Sequence, residues 1–179
     1  WPNPWPLWLS LPVLGFVLGY SYAKRFTSLA HFWLGVALMM APVATWLALR
    51  GRLDWPPVLL GLAVLFWVSG FDILYACQDY EFDRAAGLHS VPARMGVSRA
   101  LRVAAGCHAA TVFLLAALPL CYAYFGGLFW GGTAAVGALL LYEHALVTPH
   151  DLTRVNTAFF HVNAVISLGL LAIGTLDLL

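Results

Sequence analysis

Charge is what this sequence has least of. Only 9% of its 179 residues are Asp, Glu, Lys or Arg, against about 25% in soluble domains, whose water-facing surface needs them. With 62% hydrophobic residues and a mean hydropathy of +0.84, the composition is that of a chain dissolved in lipid. The few charges nearly cancel, 9 basic against 8 acidic, so there is no cationic footprint for phosphodiester backbones and nucleic acid is excluded as a partner. Cysteine is scarce as well. Cys77, Cys107 and Cys121 show no Cys-x-x-Cys spacing and stand in apolar runs, which excludes a disulfide framework and a zinc ribbon and makes them small buried apolar residues.

What is present is a series of long uncharged stretches. A bilayer core is crossed by about 20 apolar residues in a helix, because lipid offers no partner to an unpaired backbone group. Trp1 to Ala23, Phe26 to Leu49 and Trp55 to Phe71 each lack Asp, Glu, Lys and Arg. Val103 to Tyr142 is too long for one crossing, and Gly126-Gly127 divides it; Val155 to Leu176 supplies the last. The expected fold is therefore an all-α membrane protein with six transmembrane helices, near 6–23, 29–49, 56–78, 98–123, 128–147 and 157–177, in a single domain over 1–179.

The loops test that count through the positive-inside rule. Lys24, Arg25, Arg84, Arg94, Arg99, Arg102 and Arg154 fall on one side, and only Arg50 and Arg52 on the other. The Lys24 side is cytoplasmic on that rule, and Trp1, Trp5, Trp8, Trp46 and Trp55 gather at the outer boundary as an aromatic belt. Residue 1 is then outside, with no charged leader ahead of the first span and Trp in first place. Upstream sequence containing an odd number of helices is expected.

Four of the eight acids lie in one segment, Asp72, Asp79, Glu81 and Asp83, at the cytoplasmic end of the third span. A carboxylate at membrane depth costs on the order of 2.5–3.5 kcal/mol by insertion scales, so those that persist usually face a polar cavity. On a continuous helix Asp72, Asp79 and Asp83 fall within about 40° of one another, while Glu81 points to solvent or Arg84. Three like charges on one stripe imply a hard cation between them, and Mg2+, which takes one or two carboxylates together with phosphate oxygens, fits a site that captures a phosphorylated substrate. A solvated helix end is the plainer alternative. Lys24, Arg25, Arg84, Arg94, Arg99 and Arg102 are candidate phosphate donors, although topology alone also asks for cations here. Gly87 and Pro92 mark 85–96 as a loop suited to a lid. His31, His108, His144 and His161 share no ligand spacing and read as packed or interhelically bonded; Glu143-His144 reads as an interfacial pair.

The segment Asp72-Ile-Leu-Tyr-Ala-Cys-Gln-Asp79-Tyr-Glu-Phe-Asp83-Arg84, with the loop Gly-Leu-His-Ser-Val-Pro-Ala-Arg-Met-Gly after it, resembles the second aspartate-rich motif of the UbiA superfamily of intramembrane prenyltransferases, in the branch acting on 4-hydroxybenzoate. Tyr20-Ser21-Tyr22-Ala23-Lys24-Arg25 is similar to that family's Tyr-Ser-x-x-Lys signature, and Val155 to Phe160 with Asn163 is similar to the start of its last helix. The resemblance implies helices 4–9 of a nine-helix bundle around a central cavity. It implies an integral protein of the bacterial inner membrane whose site faces the cytoplasm, with polyprenyl diphosphate and an aromatic acid as substrates in ubiquinone- or menaquinone-type synthesis. Asp79 and Asp83 would be Mg2+ ligands, Asp72 and Lys24 catalytic, and Tyr20, Ser21, Arg25 and Arg84 substrate-binding. The family's first motif, Asn-Asp-x-x-Asp-x-x-x-Asp, is not found in these residues, so by themselves they are not expected to complete the metal site. Two other readings stay open. One is a non-catalytic or split half-bundle that joins a partner chain. The other is a transporter, which would place its acids near mid-membrane in broken spans or inverted repeats.

Overall fold

The computed structural model describes residues 3–179, so the belt position assigned to Trp1 lies outside the described residues. Its six long helices are α1 (Trp5–Ala23), α2 (Ala30–Arg50), α3 (Trp55–Ala76), α6 (Val97–Cys121), α7 (Gly127–Leu146) and α8 (Asn163–Asp177). Two short helices, α4 (Tyr80–Ala85) and α5 (Val91–Met95), lie between α3 and α6. No strand occurs among the described residues.

Five helical stretches are long and apolar enough to cross a membrane: Trp5–Ala23, Ala30–Arg50, Trp55–Ala85, Val97–Cys121 and Thr157–Asp177. Helix α7, the expected fifth crossing, is not among them. Its sequence is diluted by four glycines and ends on Tyr142-Glu143-His144, so its length suits a span while its mean hydropathy falls short. Pro12, Pro42 and Pro119 sit inside α1, α2 and α6, a substitution that neighbouring helices make tolerable in lipid.

The core is organised around α3, which packs along α2 on one side and α6 on the other. Small residues set both distances. A Cβ on Gly35 of α2 would come within 2.5 Å of the Leu65 carbonyl oxygen, and a Cβ on Gly70 of α3 would overlap the His108 imidazole of α6. Helices α7 and α8 close the other side of α6 through Leu115, Leu118, Phe129, Val136, Leu140, Val162 and Ile166. By contrast α1 buries only Ala23 and presents Leu7, Trp8, Leu11 and Leu18 outward, a surface for lipid or further helices.

Three expectations need correcting. The third helix does not run unbroken through the acidic segment: it gives way to a 3-10 turn at Cys77–Asp79 before α4 begins. The last crossing opens as a π-helical stretch, Thr157–Val162, before α8, the kind of irregularity that gathers at functional positions. Cys77 and Cys107 are buried free thiols as expected, but Cys121 is exposed.

Candidate functional site

Two distant motifs meet at the Lys24 end of the bundle. The turn between α1 and α2 carries Lys24, and α4 carries Asp83, 59 residues later in the chain, with Lys24 Nζ 3.2 Å from Asp83 Oδ2. Asp83 is 2% exposed and the lysine side chain 31%. An acid so deeply placed is tolerated because a cation donates to it. The ammonium has three N–H donors, so two remain for another acceptor at the mouth of the site.

The 3-10 turn changes how the three aspartates are aimed. A uniform α-helix would align them, but the three 3-10 residues advance by roughly 120° each instead of about 100°, which shifts Asp79 and Asp83 around the axis relative to Asp72. Asp72 Oδ2 instead accepts from Nδ1 of His31 on α2 at 2.7 Å. Asp79 stands at the N-cap position of α4 yet makes no capping bond, and its half-buried carboxylate has no hydrogen bond or ion pair among the described residues. With Asp83 four residues on, Asp79 lies on the same face of α4.

The remaining candidates divide. Tyr20, half-buried at the end of α1, lies within electrostatic reach of the Asp72 carboxylate. Ser21 is exposed. Arg25 stacks over the Tyr22 ring at 5.4 Å and Arg84 over the Tyr80 ring at 5.4 Å, with Arg84 Nη1 also donating to the Tyr80 hydroxyl at 2.8 Å. Each guanidinium group is thus engaged on a neighbouring tyrosine ring. Glu81 is exposed.

The 85–96 segment, expected as a lid, is strapped down. His89 N–H donates to the Lys24 carbonyl at 2.6 Å, Arg94 Nη1 to Ser28 Oγ at 3.1 Å and Val91 N–H to His31 Nε2 at 3.3 Å. Ser90, fully buried, caps α5 by accepting from Ala93 N–H at 3.2 Å. Sequence reasoning missed His31 as part of this site. The available signal was an ionisable residue in the first turn of an otherwise apolar helix, one α-helical repeat beyond Lys24.

The metal expectation meets a partial donor set. No three His, Cys, Asp or Glu side chains among the described residues converge as a metal-holding group. Asp79 and Asp83 nevertheless present hard oxygen donors on one short helix, and Mg2+ ordinarily takes one or two carboxylates and fills its shell with water and phosphate oxygens. The residues present therefore fit such an ion as a two-carboxylate anchor, with Asp72 held apart on His31.

A buried acid held by a cation from a distant turn, at one end of a bundle of long apolar helices, belongs to an integral membrane protein. The chain belongs to the UbiA prenyltransferase family, whose model matches residues 1–165. It is 31% identical over 161 residues to a 4-hydroxybenzoate octaprenyltransferase of Aromatoleum aromaticum, covering 90% of this chain and 54% of that protein. A 4-hydroxybenzoate octaprenyltransferase of Methylobacillus flagellatus is 33% identical over 177 residues, covering 95% of this chain and 58% of the relative. Among solved structures, the apo structure of a UbiA homolog from Aeropyrum pernix K1 superposes with a TM-score of 0.82 at 32% identity, over 99% of this chain and 66% of that one. The chain thus spans little more than half the length of these curated relatives.

Proposed function

We propose that the protein transfers a polyprenyl group from an allylic prenyl diphosphate to an aromatic acceptor of the 4-hydroxybenzoate type in bacterial quinone synthesis. Its site faces the cytoplasmic side of the inner membrane. The observation that carries this reading is the ion pair between half-exposed Lys24 and buried Asp83, which joins the two segments that read independently as diphosphate-handling. The names of the relatives support the reaction class.

In this reading Lys24 turns its two free N–H donors to the diphosphate and stabilises the charge that grows as the allylic C–O bond breaks. Asp83 fixes where that ammonium stands. Tyr20, at the end of α1, and Asp72 would serve the acceptor side of the site. Asp79 and Asp83 would hold Mg2+, which supplies Lewis-acid assistance to the leaving diphosphate. The apolar helices keep water from the allylic cation, and an electron-rich ring captures it, losing a ring proton to regain aromaticity.

The test is prenyl transfer by the native protein in lipid. Asp79→Ala and Asp83→Ala should each remove Mg2+-dependent transfer, by at least about 100-fold as loss of transition-state electrostatics does, while both variants still insert into membranes. Unchanged turnover in both variants refutes the assignment.

A further inference from the structure

The structure assigns to His31 the task of a positioning residue that ties the orientation of Asp72 to the seating of the 85–96 segment. The imidazole is fully buried and both of its nitrogens are used. Val91 N–H donates to Nε2 at 3.3 Å, so Nε2 carries no proton. The ring hydrogen is then on Nδ1, and that nitrogen donates to Asp72 Oδ2 at 2.7 Å. One neutral tautomer satisfies both contacts; the other satisfies neither.

Each contact does work that nothing nearby duplicates. Val91 begins α5, and the amides of a first helical turn have no partner inside their own helix. Pro92 brings no N–H, Ala93 is capped by Ser90 Oγ, and Val91 is satisfied from α2 by His31. On the other side, Asp72 makes no other hydrogen bond among the described residues, so its Oδ2 is aimed by the imidazole alone. The backbone that carries the ring lies close against α3: the Ser69 hydroxyl, which donates to the Leu65 carbonyl at 2.8 Å, stands 3.3 Å from the His31 carbonyl, and Gly35 permits that approach. If α5 lifts away, Nε2 loses its donor, the preference for this tautomer lapses, and Asp72 is released. Loop seating and carboxylate aim are therefore one event. The catalytic half of this inference rests on the prenyltransferase reading; the coupling itself does not.

The experiment compares the native protein with His31→Gln, His31→Leu and Asp72→Ala, in lipid nanodiscs. Hydrogen exchange is read at the Val91 amide and prenyl transfer against prenyl diphosphate concentration. A glutamine can donate through its amide nitrogen and accept through its oxygen, so it preserves both contacts; leucine preserves neither. His31→Leu should speed Val91 exchange at least about 10-fold and lower turnover by about 10- to 100-fold, the range for partners that orient a ligand or catalytic group. His31→Gln should return both toward the native values. Asp72→Ala should by itself speed Val91 exchange, although Asp72 bonds to no loop atom. A merely structural histidine would not give rescue by Gln in both readouts or transmission from Asp72 to Val91. Slow Val91 exchange in His31→Leu or in Asp72→Ala overturns the coupling, and full turnover in His31→Leu overturns the positioning role. If the native protein transfers no prenyl group, the functional reading fails by itself, and the two exchange measurements still decide the coupling.

Discussion

The two sides of α3 treat the same pair of residue types in opposite ways. Asp72 and Gly70 are two positions apart, about 200° around the helix, so one faces α2 and the other faces α6. Toward α2, a fully buried histidine and an aspartate satisfy each other, and the second ring nitrogen is taken by a backbone amide. Toward α6, His108 Nδ1 meets His144 Nε2 at 3.0 Å, while Glu143 comes no closer to His108 than 3.8 Å. Both Glu143 oxygens and His108 Nε2 are buried without a hydrogen-bond partner among the described residues. Inside a bundle such an acid costs several kcal/mol unless it finds a donor. The lesson is that burial alone does not rank these histidines: the α2 side is a completed network, and the α6 side is an unsatisfied one that packing encloses.

The largest expected effect comes from disturbing the packing that confines the unsatisfied side. Gly70 lets the His108 ring lie directly on α3, and a methyl group there overlaps the imidazole. Gly70→Ala should destabilise the bundle by about 1–3 kcal/mol, the cost of overpacking a rigid contact, read as a lower midpoint in reversible unfolding from mixed micelles. A matching Gly35→Ala comparison sharpens the contrast, since its Cβ would meet the Leu65 carbonyl oxygen and the Ser69 hydroxyl, each at 2.5 Å. If Gly70→Ala is as stable as the native chain, the α3–α6 spacing is not set by that glycine.

Opposite signs are expected next from the two acids. Asp72→Leu leaves the Nδ1 hydrogen of His31 buried without an acceptor and should cost about 1–3 kcal/mol. Glu143→Leu removes a carboxylate that has no partner to lose and should be neutral or stabilising, by up to about 2 kcal/mol. The same unfolding titration reads both. Equal losses in the two variants would erase the distinction between the networks and mean that Glu143 has a donor unlike any contact described above.

Much of this arrangement was legible before any coordinates, and the failures share one cause. Hydropathy and loop charge located the helices, with α6 expected over 98–123 and found over Val97–Cys121, because lipid permits few alternatives to a helix. The proximity of Lys24 to the acidic segment followed from placing both at one end. What could not be read was anything decided by a small change in helical pitch. The 3-10 turn at Cys77–Asp79 breaks the period that would have aligned three aspartates, and no residue in Ala-Cys-Gln-Asp announces it. His31 was read as packed or interhelically bonded, as it is, but its place in the site could not be read, because its partners, Asp72 and Val91, lie 41 and 60 residues away in sequence. Only the close approach of α2 to α3 brings them together. In α7 the reverse occurred, where helix formation was foreseen but the helix, with its glycines and Tyr-Glu-His end, is not among the stretches long and apolar enough to cross a membrane.

The smallest effect belongs to an acid that needs neither histidine nor burial. Asp151, in the connection after α7, is exposed, and its Oδ1 accepts from the Thr153 hydroxyl at 2.7 Å and the Thr153 N–H at 3.0 Å. The Thr153 hydroxyl first, then its backbone amide, hold this carboxyl below the usual carboxylate range, with Arg154 adding a weaker pull. A carboxyl whose folded pKa is depressed contributes only above its unfolded value, about 3.9, and loses the contribution as pH falls through the lower folded one. Between pH 5 and 8 that contribution is fully present, so Asp151→Asn should lower stability slightly and by an amount that stays constant across this window, the difference from the native chain fading only in acid. Thr153→Val removes the hydroxyl bond and should move the Asp151 titration, followed by carboxyl 13C resonance, back up toward the ordinary range. A midpoint that stays put in Thr153→Val would mean that something other than the local turn holds this carboxylate, and the contrast between acids satisfied locally and acids satisfied across helices would lose its reference point.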